Sequence, residues 1–169
     1  MKKMFFSALA LTAFALNSNA QATATATATA TIVTPISITK TADMNFGNVA
    51  VQAGTGGTVI LAPAGTRTTG GAGGVTLPAT AGTVTAAAFT VNGNGNYTYA
   101  ITLPGTVTLT RASGSETMDA DNFTSTPNGT GTLSSGTQNL TVGATLNVAA
   151  AQVPGVYTSG NFNVTVNYN

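Results

Sequence analysis

Apolar residues recur at every second position through most of this chain, the period of extended strands rather than of helices. The clear runs are Tyr97, Tyr99, Ile101 and Leu103; Val107 and Leu109; Leu140, Val142, Ala144, Leu146 and Val148; and Phe162, Val164, Val166 and Tyr168. Less regular runs cover residues 58–61, 74–77 and 84–91, set apart by glycine-rich or proline-containing stretches that mark turns. About eight to ten strands are expected. Beyond residue 20 no segment combines helical spacing with a cap, so the pattern predicts an antiparallel β-sandwich. The glycine-dense stretches 54–57 and 70–74 fall between strand candidates rather than between blocks of different composition, which predicts a single domain over residues 35–169.

The most regular alternation is Ala-Thr repeated from Ala22 to Thr31 and continued by Ile32 and Val33. Its even-numbered face runs on through Ile36, Ile38, Ala42, Met44 and Phe46, with Thr34 and Lys40 as exceptions. Extended at about 3.3 Å per residue, residues 21–40 would reach roughly 65 Å, whereas a compact domain of this size is about 35 Å across. The arm therefore cannot lie straight on its own domain. Folding back near Pro35 is poorly encoded, because residues 33–37 hold no Gly, Asn or Asp for a tight hairpin. The expectation is β-strand addition to another copy. Ala22, Ala24, Ala26, Ala28, Ala30 and Ile32 would enter the neighbour's groove, and Pro35, which has no ladder donor, would mark the crossover. Residues 162–169 form a strong strand whose edge nothing further along the sequence covers, so Phe162, Val164, Val166 and Tyr168, with Ile36 and Ile38, are the expected acceptor edges.

Ahead of the arm, Lys2 and Lys3 precede the apolar stretch 4–16 and small residues at Ser18, Ala20 and Ala22. That is the layout of a secretory signal peptide over residues 1–20, cleaved after Ala20 or after Ala22. The apolar stretch of about 13 residues falls short of the roughly 20 that span a bilayer, so no membrane span is expected after cleavage, and the mature protein is expected to be secreted, in an extracellular filament or at the cell surface.

Without the leader, Lys40, Arg67 and Arg111 are the cations, and Asp43, Glu116, Asp119 and Asp121 the acids. Three scattered cations make no phosphate-neutralising footprint, which excludes nucleic acid. Charged residues make up 5% of the chain, against about 25% in ordinary proteins, and so little charge favours self-association. With no Cys, stability rests on packing and ladders rather than disulfides.

The chain has no His and no Cys, which excludes Ser-His-Asp and Cys-His catalysis and the usual zinc sites. Three of the four acids crowd into residues 116–121, leaving few to place across a glycosidase cleft; no enzymatic activity and no cofactor are expected. With Asn122 that cluster offers oxygen ligands for calcium but lacks the spacing of a calcium loop, and a solvated turn is the expectation. Gly93-Asn94-Gly95-Asn96 is expected to be a hairpin turn, since no helix follows to bind phosphate. Five Asn-X-Thr matches, at Asn96, Asn122, Asn128, Asn139 and Asn163, fit the glycosylation pattern in a chain rich in both residues. Tyr97, Tyr99, Tyr157 and Tyr168 are assigned to core rather than to a sugar-binding face. One threonine row on one strand does not make an ice-binding surface.

The arm 22–33, the stretch Ile36-Ser37-Ile38-Thr39-Lys40-Thr41-Ala42-Asp43-Met44-Asn45-Phe46-Gly47, the run Thr141-Val142-Gly143-Ala144-Thr145-Leu146, and Pro154-Gly155-Val156-Tyr157 leading into residues 162–168 together resemble the bacterial secreted family catalogued as domain of unknown function 4402. More distantly the chain resembles chaperone-usher pilins and spore-coat-U-type subunits, through its alternating extension, the Phe46-Gly47 pair and the strand ending in Tyr168. That resemblance implies an immunoglobulin-like sandwich lacking its last strand, completed by the N-terminal strand, here residues 21–34, of a neighbouring subunit. The absent pilin disulfide is a departure. The implied function is a pilus-like structural subunit that polymerises head to tail with copies of itself, with an export or assembly chaperone as a further partner. The alternative is a monomeric secreted or surface adhesin, or glycan-binding sandwich, whose arm folds onto its own sheet.

Overall fold

Threonine, valine and isoleucine fit a pleated, half-buried surface, and from Ser37 onward the runs in which they alternate form strands. The computed structural model describes residues 21–169; the signal-peptide expectation for residues 1–20 lies outside the described residues. The chain divides into two units, Met1–Ile32 and Val33–Asn169. In the first, residues 21–32 carry no secondary structure and are exposed throughout, Ile32 at 93%.

The second unit is all-β and antiparallel, with no helix among the described residues. Its strands are β1 (Ser37–Ala42), β2 (Ala50–Val51), β3 (Gly57–Leu61), β4 (Arg67–Gly70), β5 (Val75–Thr76), β6 (Ala87–Asn92), β7 (Thr98–Thr102), β8 (Val107–Arg111), β9 (Thr117–Thr126), β10 (Thr130–Thr132), β11 (Thr137–Val148), β12 (Tyr157–Ser159) and β13 (Thr165–Tyr168). An eight-stranded sheet runs β1-β6-β11-β9-β8-β12, with β3 and β4 continuing from β11. The long β11 makes this branching possible: Thr137 to Val142 pair with β6, Ala144 to Val148 pair with β3, and β9 lies along its other side. A three-stranded sheet runs β10-β7-β13, and β2 pairs with β5.

Two apolar clusters hold these layers together. One gathers Phe46, Val59, Leu61, Val75, Ala120, Ala144, Leu146 and Val148. The other draws Ala87, Val91, Leu140 and Val142 from the large sheet together with Tyr99 and Val166 from the three-stranded sheet, and Leu133 beside them. Each fully buried large side chain contributes about 1.5–3 kcal/mol relative to exposure. Tyr99 sits at the centre of the second cluster, fully buried, and its hydroxyl donates to Oε1 of Gln138 at 2.8 Å. Gly131 on β10 lies against the same ring, where a Cβ would fall 2.3 Å from Cζ. Arg67, on β4, spends its guanidinium on backbone, donating to the carbonyls of Phe46 (2.5 Å), Asn48 (2.7 Å) and Ala81 (3.3 Å) and so fastening two loops.

Three local expectations are corrected. The described strands number thirteen rather than about eight to ten, because short pairs such as β2 and β5 leave no periodic signal and because β9 escapes notice. In β9 the inward residues are Met118 and Ala120, then Phe123 and Ser125. The phase shifts at a bulge where Asn122 has a φ of 47° and the register against β11 slips. The acidic stretch 117–121 is therefore strand, not a solvated turn. Finally, the turn 93–96 does not close a hairpin: β6 belongs to the large sheet and β7 to the small one, so it carries the chain between sheets.

Candidate functional site

Among the strands that end a sheet, two lie side by side. β1 pairs with β6 alone, and β13 with β7 alone. Their Cα atoms approach within 8 Å, yet no hydrogen-bonded ladder joins them. Each therefore turns a row of unpaired backbone N–H and C=O groups outward, the feature that invites an additional strand.

The edges run in opposite directions. Ser37, which opens β1, is opposite Asn92, which closes β6. Tyr168, which closes β13, is opposite Tyr99 near the start of β7, and its hydroxyl accepts from the Asn94 amide at 2.6 Å. The start of β1 and the end of β13 thus meet at the turn 93–96, and the two strands diverge in polarity from there.

Between the edges lies one apolar surface. Ile36, Ile38, Phe162, Val164 and Tyr168 are half-buried and pack on the cluster that contains Val166, with Phe89, Ile101 and Phe123 beside them. All six acceptor-edge residues expected from the sequence are thus brought into one cluster. Phe162 and Val164 precede β13 but keep its phase: Phe162, Val164, Val166 and Tyr168 face inward while Asn163, Thr165 and Asn167 are exposed. Phe162 also meets Phe123 with ring centroids 5.5 Å apart. Sequence reasoning did not assign Phe89 or Phe123 to this surface; Phe89 shares a face with Val91 in a recognisable run, whereas the bulge hides Phe123.

One end is pinned. The Tyr168 hydroxyl donates to the carbonyl of Thr34 at 2.9 Å, and its ring meets that of Tyr97 edge-on at 5.6 Å. A strand hydrogen-bonded on both sides needs its flanking strands about 9.6 Å apart, twice the usual spacing. At their closest the Cα atoms of β1 and β13 are within 8 Å, so insertion between them requires the two edges to part by about 2 Å or more there. Pro35 is exposed and outside any strand, two residues before β1. Ala22, Ala24, Ala26, Ala28, Ala30 and Ile32 are exposed and unpaired.

The surface carries almost no charge. Lys40 on β1 pairs with Asp43 at 2.6 Å, both exposed. The remaining acids are spread among structural partners: Glu116 accepts from Arg111 at 2.6 and 3.1 Å, Asp119 from Thr108 at 2.7 Å, and Asp121 from Asn147 at 3.0 Å. Hydrogen bonding to the guanidinium holds the Glu116 carboxyl below the usual carboxylate range. Among the described residues no group of acids is arranged to hold a metal ion. What the surface offers is a set of apolar side chains flanked by two strand edges without a ladder partner.

With that geometry in place, the comparison with known families is direct. The family described as Domain of unknown function (DUF4402) matches residues 36–168, and the chain belongs to it. Neither the curated proteins nor the solved structures contain a match to this chain.

Proposed function

We propose that this protein is the structural subunit of an extracellular filament, an incomplete immunoglobulin-like sandwich closed by residues 21–34 of a neighbouring copy. The observation that carries this reading is the pair of unpaired edges, β1 and β13, from two different sheets, flanking one apolar surface in a chain whose alternating arm is exposed. Arm and groove are matched in kind: residues 21–34 and residues 160–169 contain no charged side chain, and both alternate with period two, so every second arm residue meets the apolar floor. The absence of His and Cys, and the dispersal of the acids, favour a structural over a catalytic role.

Polarity decides between an open fibre and a closed pair. Because β1 and β13 run oppositely, an inserted strand is parallel to one and antiparallel to the other. If it runs antiparallel to β13, its C-terminal end emerges near Phe162, and the donor subunit lies beyond that end. The acceptor's own residues 33–36 leave from the Tyr168 end, so each copy is free to repeat the contact, and an unlimited chain grows. If it runs parallel to β13, donor and acceptor meet at their Tyr168 ends and exchange reciprocally, which closes a dimer. Either orientation makes one parallel and one antiparallel ladder, so ladder stability does not separate them; the proposed filament takes the orientation antiparallel to β13, which gives the head-to-tail fibre.

Removing residues 22–33 tests this. The shortened protein is expected to be exported and folded but to sediment only as monomer, while the full chain forms large assemblies. A full chain that stays monomeric at high concentration would instead support the surface adhesin whose arm serves its own domain.

A further inference from the structure

We infer that Ile32 sets the register of the donated strand; the inference rests on the filament reading above. The groove face of the edge from Phe162 to Tyr168 takes seven donor residues in an extended ladder. The arm contains three such windows in the correct phase, 22–28, 24–30 and 26–32. The first two are the same sequence, Ala-Thr-Ala-Thr-Ala-Thr-Ala, and present identical side chains to the groove. Slipping a strand by two residues keeps every side chain on its face, so a period-two repeat by itself leaves the register undefined. Only the 26–32 window differs, because it brings a large apolar residue into the groove.

Ile32 has the properties this requires. It is the most exposed of the large hydrophobic side chains among the described residues, at 93%, and it stands at the domain-proximal end of the repeat. In the antiparallel arrangement Ile32 faces Phe162, and Ala30, Ala28 and Ala26 face Val164, Val166 and Tyr168. Thr31, Thr29 and Thr27 then lie beside Asn163, Thr165 and Asn167, all exposed in the free edge. Burying each additional CH2 favours association by a factor of roughly four, about fiftyfold for the three carbons by which Ile exceeds Ala. That preference selects one register and also fixes how closely successive subunits approach, since Ile32 adjoins the domain directly.

The chain has no cysteine, so introduced pairs report registers without interference. Full-length double variants carrying Asn163→Cys with Thr31→Cys, Thr29→Cys or Thr27→Cys are oxidised after assembly, and intermolecular ladders are compared on denaturing gels. The Thr31 pair is expected to dominate by at least tenfold, and adding Ile32→Ala is expected to bring the three pairs within about threefold of one another while filaments weaken. Filaments in which the three pairs cross-link equally with Ile32 present, or in which Ile32→Ala leaves the Thr31 preference intact, would overturn the assignment and leave the filament reading standing. No filament and no intermolecular cross-link from any pair would overturn both.

Discussion

Tyr99 shows how single side chains set the conditions for the groove. Its ring is buried in the cluster on which Ile36 and Phe162 pack, on the strand beside β13, its hydroxyl is satisfied by Gln138, and the absence of a side chain at Gly131 leaves it room. Gly131→Ala pushes a methyl into that ring, and overpacking of this kind costs about 1–3 kcal/mol. A lowered denaturant midpoint with an unchanged slope is the expected result; an unchanged midpoint would mean that the ring is not fixed. Titration follows from two other contacts. Glu116 is held low by its hydrogen bond from Arg111, so its contribution is complete above the ordinary glutamate value of about 4.3 and is lost as pH falls through the lowered folded value. Burial raises the Tyr99 phenol, so its neutral form is favoured in the fold, and that contribution fades as pH rises past about 10, where the unfolded chain ionises. With no histidine to titrate between them, the melting temperature of the unassembled domain should be flat from about pH 5 to 9. A step near pH 6 to 7 in a thermal-melt series would contradict this.

Residues 21–32 carry no secondary structure and are exposed, so substitutions there test the proposed assembly separately from folding. Ala28→Asp places a carboxylate where the proposed pairing buries a methyl, and burying an unpaired charge costs several kcal/mol. The variant is expected to melt like the wild type as a monomer, since residue 28 is exposed there, and to form no filaments; normal filaments from it would exclude burial of the arm's even-numbered face. The clustering of Ile36, Ile38, Phe162, Val164, Val166 and Tyr168 was legible in the sequence because alternation records which face is buried. Where phase is broken, legibility fails. β9 was hidden by the bulge at Asn122, and the partition of β6 and β7 into different sheets was invisible because a turn rich in Gly and Asn serves a hairpin and a sheet-to-sheet crossing equally well. The hydrogen bond from Tyr168 to Thr34 joins residues 134 positions apart, a separation at which local pattern says nothing.

For the whole molecule, the adjacent edges β1 and β13 differ in polarity, and residues 33–36 enter β1 at the end where Tyr168 lies. In the proposed filament each subunit supplies one donor and one acceptor, and heterologous contacts between successive copies give a linear assembly. The scarcity of charge, a liability in an isolated soluble domain, is consistent with a surface that spends its life against copies of itself. In the proposed filament the Tyr168–Thr34 hydrogen bond must part before a strand inserts, so assembly is expected to be slow relative to folding. The most direct test is electron microscopy of the full-length protein, with the axial repeat measured from image averages. The account predicts unbranched filaments with one domain per repeat, about 35–40 Å for a unit of this size; dispersed monomers or closed dimers at high concentration would contradict it.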